Sequence, residues 1–210
     1  MSINGLLPLL GETRSKEIVE RLQRLGWGRM FSDAHPTPYL GEPWGFDNGA
    51  FSAWLNQMPF PRDRFLWRLD HALNRGVPYL AAVPDMVTQG QASLEFSLGW
   101  LERLPAEWPW YLVVQDGMKT SDVELVFDRF AGIFLGGTTR FKSTAAELCE
   151  LAHRNGKKFH YGRASTPRRI EQARRMGADS LDSAFPLWTK ERLEEFIQAV
   201  LYGSPQGSLL

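Results

Sequence analysis

The sequence predicts a compact, closed (β/α)8 barrel over residues 1–202 of its 210, with a flexible tail at 203–210. Three observations carry this. Short runs rich in apolar, β-branched or aromatic residues alternate with amphipathic segments, the mark of βα units around a parallel sheet. Eight such runs are spread evenly along the chain, which favours closure over the rival architecture, a doubly wound open sheet. Polar residues gather at the C-terminal ends of these runs, where barrels of this class assemble their sites.

The predicted strands cover residues 6–10, 29–32, 44–47, 79–84, 110–115, 132–135, 158–161 and 180–182. Between them, Ile18, Val19, Leu22 and Leu25 repeat at helical spacing after Ser15, and Gly26 supplies a stop. Helices are expected over 62–74, ending before Gly76, and over 91–104, ending before Pro105. Ser143 is read as opening a further helix, with Glu147 as an offset capping partner. Thr166-Pro167 starts another, running to Met176, with Thr as N-cap and Pro at the first helical position. Thr189 caps the last, through Leu201. Between the second and third strands, His35-Pro36-Thr37-Pro38 and Gly41-Glu42-Pro43 exclude a regular helix and imply a long loop. A typical barrel of this class has ~250 residues, so its helices and loops must be short.

Composition excludes several classes. Hydrophobic residues at 43% and charged residues at 23% fit a globular domain that buries roughly 70% of its unfolded surface. The single Cys149 forms no intramolecular disulfide and rules out a multi-cysteine zinc site within the chain, which fits a reducing, cytoplasmic setting. No apolar run approaches the ~18 residues of a membrane span, and the N-terminus has no basic leader. Lys plus Arg equals Asp plus Glu at 24 each, so no global basic footprint exists. Basic residues are nevertheless concentrated locally, in Lys157, Lys158, Arg163, Arg168, Arg169, Arg174 and Arg175.

Asp47, Asp85 and Asp182 stand out among the polar strand ends, because each follows an apolar run where an unpaired carboxylate is costly. Asp33 and Asp116 read as turn residues, since Asp is favoured just past a strand. His160 ends the seventh strand and is placed at the barrel mouth, whereas His71 and His153 fall inside helical patterns and His35 in the Pro-rich loop. Histidines so dispersed suggest no metal constellation. Gly136-Gly137 invites an anion-binding reading but lacks the spacing of a nucleotide-binding fingerprint.

Read in order, Phe46-Asp47-Asn48-Gly49-Ala50-Phe51-Ser52, Val113-Val114-Gln115-Asp116-Gly117, Leu135-Gly136-Gly137-Thr138 and Gly177-Ala178-Asp179-Ser180-Leu181-Asp182-Ser183-Ala184 resemble the motifs of the tRNA-guanine transglycosylase superfamily. The resemblance covers roughly the last three quarters of the chain and is nearest to the deazapurine DNA modification branch. It implies a base-exchanging transglycosylase that replaces guanine in DNA with a free 7-deazaguanine base, without a cofactor. By this resemblance Asp182 is the nucleophile at the anomeric carbon and Asp47 the acid/base partner. Asp85 would accept from the N–H edge of a guanine-like base, with Gln115, Gly136 and Gly137 near its carbonyl oxygen and Asn48, Phe51, His160 and Arg163 completing the substrate pocket. Arg168, Arg169, Arg174 and Arg175 are expected to contact nucleic-acid phosphates.

The tRNA enzymes of this superfamily carry a zinc site of three Cys and one His, which a chain with one Cys cannot build, so a barrel lacking that subdomain is expected. Asp116-Gly117 replaces their Gly-Gly, and Ser183 replaces the Cys that follows the nucleophile. These departures favour DNA over tRNA. Two other classes stay open on the residues alone: an N-glycosidase acting on a nucleotide or nucleoside, and a non-catalytic base- or nucleic-acid-binding subunit. A homodimer or a partner protein is compatible with all three.

Overall fold

A computed structural model describes residues 5–31 and 41–203. Ser32, Asp33, His35 and most of the long loop, together with the tail beyond Gly203, lie outside the described residues. Eight parallel strands close in sequence order. They are β1 (Leu7–Leu10), β2 (Gly28–Phe31), β3 (Trp44–Phe46), β4 (Leu80–Ala82), β5 (Trp110–Val114), β6 (Gly132–Leu135), β7 (Lys158–Tyr161) and β8 (Ser180–Ser183). Closure is made where β8 returns to β1, pairing Leu7 with Ser180 and Leu10 with Ser183. The TIM-barrel expectation is therefore met, with every predicted strand present, four of them one to three residues shorter and the last one residue longer.

Side-chain alternation along the strands sorts the core into two parts, because successive residues of a strand point to opposite faces. Leu9, Met30, Leu80, Ala82, Tyr111, Val113 and Phe134 form one buried cluster drawn from strands alone. Their sequence neighbours Leu10, Phe31, Ala81, Leu112, Val114, Ile133 and Leu135 belong to a larger cluster shared with the helices. Arg29 breaks the apolar run of β2, and its buried guanidinium is bonded to the buried carboxylate of Glu42.

The helices around the barrel are α1 (Lys16–Arg24), α2 (Ala50–Leu55), α3 (Arg62–Leu73), α4 (Gly90–Trp100), α5 (Thr120–Glu124), α6 (Thr139–Lys142), α7 (Ala146–Arg154), α8 (Pro167–Met176) and α9 (Lys190–Tyr202). Ser15, Thr166 and Thr189 accept hydrogen bonds from the amides of Ile18, Arg169 and Arg192, as N-caps do. Ser143 does not open a helix. Thr138 caps α6, Ser143 ends it, and α7 begins only at Ala146, leaving Glu147 bonded to Thr120 instead. The short helices α2 and α5 have no counterpart in the sequence reading, because six and five residues carry too little periodicity to register.

Candidate active site

A cavity of about 380 Å³ opens at the C-terminal ends of the strands. Asp47 follows β3, Asp85 lies just past β4, Gln115 follows β5, Gly136 follows β6, Arg163 follows β7 and Asp182 sits within β8, and all six line this cavity. Asn48, Phe51 and Arg169 line it too.

The three carboxylates have different surroundings. His160 Nε2 lies 3.0 Å from Asp182 Oδ1, and the backbone N–H of Arg163 donates to the same oxygen at 3.0 Å. A carboxylate only accepts, so Nε2 carries the hydrogen, while Nδ1 meets Ser180 Oγ at 2.8 Å. Burial pushes Asp182 up, but the His160 hydrogen bond and charge, the Arg163 amide and the nearby Lys142 together outweigh it and hold this carboxyl below its ordinary value.

Asp47 moves the other way. Enclosure raises its carboxyl and the charge of Asp182 adds to that, whereas the Gly49 amide, donating at 2.6 Å, and the cations Arg68 and Arg163 only partly oppose it. One cavity thus holds a carboxyl biased toward ionisation beside one biased toward keeping its proton.

Asp85 is fitted with two side-chain amides. Asn48 Nδ2 donates to Oδ1 and Gln115 Nε2 to Oδ2, each at 2.6 Å. Asn48 Nδ2 also donates to the Val83 carbonyl and Asn48 Oδ1 accepts from the Ala50 amide, while Gln115 Oε1 accepts from the Thr88 amide. Both amides are therefore oriented by backbone. Burial lifts Asp85 to about 7 despite these donors, with the charge of Asp47 adding to the rise. A carboxylate has about four acceptor positions, so two remain for a ligand. A Cβ on Gly136 would stand 2.7 Å from Gln115 Nε2, so a glycine there leaves room for the Gln115–Asp85 pair.

Arg163 bridges several parts of the rim. Its Nη2 donates to the Gly137 carbonyl at 2.6 Å, and its guanidinium carbon lies 3.8 Å from the centroid of the Phe51 ring. Gly137 itself is not among the cavity-lining residues, and its carbonyl serves to hold Arg163. His160 is fully buried beneath Asp182 and is not among the cavity-lining residues, so it supports that carboxylate rather than facing the opening. Asp116 accepts from Thr138, through the N–H at 2.7 Å and the hydroxyl, and behaves as the turn residue expected.

The basic cluster divides. Arg169 lines the cavity and donates to Thr139 Oγ1 at 2.6 Å, and Arg168 is exposed one residue before it. Arg174 points away, donating to the Ala199 and Val200 carbonyls of α9 at 3.0 and 2.7 Å and pairing with Glu171. Arg175 pairs with Glu171 as well. Arg174 thus ties α8 to α9 and Arg175 pairs within α8, and neither lines the cavity, because they project from another side of α8 than Arg169.

Sequence reasoning missed Phe185 and Trp188, which line the cavity from the 3₁₀ turn Phe185–Trp188, with the Arg192 guanidinium 4.1 Å from the Phe185 ring centroid. Trp188 is 69% exposed, and eight Trp in one chain give no sequence signal for which one lies at the rim. Among the described residues no group of three or more His, Cys, Asp or Glu is placed to hold a metal ion, and no helix is long and apolar enough to cross a membrane. The chain matches no protein-family model and no curated protein.

Proposed function

We propose that the chain is a base-exchanging transglycosylase, which removes guanine from a nucleic acid, DNA in preference to tRNA, and installs a 7-deazaguanine in its place. The observation that carries this reading is the opposed bias of Asp182 and Asp47 within one cavity, since groups driven apart in proton affinity mark the division of labour between nucleophile and acid/base. The order of motifs set out above supplies the reaction class.

In this reading ionised Asp182 attacks the anomeric carbon and forms a glycosyl ester as the C–N bond breaks. Asp47 delivers its proton to the departing base. The incoming deazapurine then returns a proton to Asp47 and its ring nitrogen bonds the anomeric carbon, releasing Asp182 as a carboxylate. The free acceptor positions of Asp85 match two adjacent N–H groups on a guanine-like edge, and a pocket built to pair them rejects bases that lack them. In this reading Arg163 and Arg169, which line the cavity, and the exposed Arg168 would meet phosphate.

The test is product analysis. Purified protein is incubated with a guanine-containing single-stranded or duplex DNA, with tRNA, or with a guanine nucleoside, each with and without labelled 7-deazaguanine. Label entering DNA, with an equal amount of guanine released, supports the reading. Guanine released without any deazapurine marks a hydrolase, and binding without release marks a non-catalytic subunit.

A further inference from the structure

Lys142 is the one lysine among the described residues that is fully buried beside the cavity without bordering it. It ends α6, and its Nζ donates to the carbonyl oxygen of Gly162 while lying 4.9 Å from the centroid of the Tyr161 ring. No carboxylate among the described residues is bonded to it. A buried ammonium held only by a carbonyl and a ring face is costly to keep, and a methionine in its place would pack at less expense.

The carbonyl it holds belongs to a special peptide. Gly162 C=O and Arg163 N–H are the two ends of one amide group, and that N–H is the one donated to Asp182 Oδ1 at 3.0 Å. Arg163 has φ +54°, in the left-handed region that non-glycine residues avoid. Packing fixes the preceding residue as well: a Cβ on Gly162 would lie 2.6 Å from Phe134 Cε1 and 2.9 Å from the Leu135 carbonyl. The peptide is thus pinned at its oxygen by a cation and at its hydrogen by the carboxylate.

We propose that Lys142 is a positioning residue that orients and polarises the Gly162–Arg163 peptide so that its N–H stabilises the carboxylate form of Asp182. A cation at the oxygen of an amide makes its N–H a stronger donor, as chains of hydrogen bonds polarise one another. Resting on the reaction proposed above, the effect falls mainly on the second half. There the ester C–O bond breaks, its electron pair returns to Asp182, and the deprotonated ring nitrogen of the incoming base bonds the anomeric carbon. A better-stabilised carboxylate leaves faster.

Burial, reinforced by Arg163 and Arg169 and opposed by Asp182 and Asp116, brings the Lys142 ammonium down to about 7. The experiment is therefore run at pH 6 and below, where that ammonium is charged. Lys142→Met removes charge and hydrogen bond, and Lys142→Gln keeps a donor without the charge. Two readouts need no turnover. The Arg163 amide proton, followed in protein labelled with ¹⁵N-arginine, should move upfield in Lys142→Met and partly in Lys142→Gln. The Asp182 carboxyl, followed by ¹³C resonance against the other groups acting on it, His160, Arg163 and Asp47, should titrate at higher pH in Lys142→Met than in the wild type.

In turnover, Lys142→Met should slow ester breakdown by about 10-fold to 100-fold while changing its formation little, so that the adduct accumulates. If neither resonance moves, Lys142 is a packing cation and the inference fails, whatever the activity. If both move but the wild type forms no adduct on any nucleic acid, the positioning role stands and the transglycosylase reading fails. Should Lys142→Met not fold, Lys142→Gln carries the same resonances, and wild-type shifts in it overturn the proposal.

Discussion

Two histidine–aspartate pairs sit at opposite ends of β8, each with 3.0 Å between the ring Nε2 and a carboxylate oxygen. His160–Asp182 is at the cavity end. His153–Asp179 lies at the other, where Cys149 Sγ at 3.9 Å from His153 Nδ1 completes a chain of thiol, imidazole and carboxylate resembling a nucleophilic triad. What surrounds the pairs separates them. Asp179 meets Lys158 at 2.9 Å and the Phe159 amide at 2.8 Å, and these partners with His153 hold it low against the upward push of burial. The Cys149 thiol is pushed up to about 12, first by burial and then by the charges of Asp179 and Glu150, so little thiolate forms near neutrality. None of the three lines the cavity. Identical pair geometry therefore holds the barrel base together in one case and confronts an opening in the other. Access and the balance of charge decide the role, not the pair.

The comparison can be broken most directly at the two aspartates. Asp182→Asn keeps the shape and removes the attacking charge, so base release should fall on the order of 10⁴-fold or more with no trapped sugar adduct, while Asp179→Asn should leave the rate unchanged. Equal losses in both would erase the distinction, and near-normal exchange by Asp182→Asn would assign the attack to Asp47 or a water. Asp47→Asn should cost roughly 100-fold to 10,000-fold in turnover, read as a loss in kcat that spares base affinity.

Asp85 sharpens the contrast through pH. Its folded-state value of about 7 lies well above that of an unfolded chain, so between about pH 4 and 7 the native state binds the extra proton and stability falls as pH rises. Asp85→Asn should weaken guanine-like bases roughly 10-fold to 100-fold by equilibrium binding, yet raise the melting temperature more at pH 8 than at pH 5. A melting temperature equally changed at both pH values would contradict the buried, proton-holding description of this carboxyl. The smallest effect belongs to Asp179. Its depressed value contributes stability above about pH 4 that fades as pH falls further, and solvent screening limits Asp179→Asn to about 1 kcal/mol of destabilisation at pH 7 in denaturant titrations.

Much of the barrel was legible because its strands are written in runs such as Trp110–Val114 and Gly132–Leu135, and a parallel strand covered on both faces must be apolar throughout. The convergence of Asp47, Asp85 and Asp182 was legible for the same reason, since a carboxylate ending such a run has only the barrel mouth to face. The division of the arginines was not. Arg169 and Arg174 share one amphipathic segment, and which of them meets the cavity depends on how α8 is rotated against its neighbours. Lys142 was invisible for a related reason. In Thr139-Arg140-Phe141-Lys142 it reads as a solvated helix end, and only the approach of the Gly162 loop encloses it.

The inner face of the barrel bears on how a guest can lie. Met30, Ala82, Val113 and Phe134 present hydrocarbon, sulfur and an aromatic ring to the cavity, and Asp85, Gln115 and Asn48 form a linked polar group in the same lining, which also holds Asp47, Asp182 and Arg163. Under the proposed reading a planar base would be keyed against this wall: turned over, its donor edge would meet the carbon and sulfur of Met30, Ala82, Val113 and Phe134 and leave the Asp85 carboxylate without a donor. On that reading orientation would be set before any bond is made or broken, by side chains given no part in the proposed chemistry.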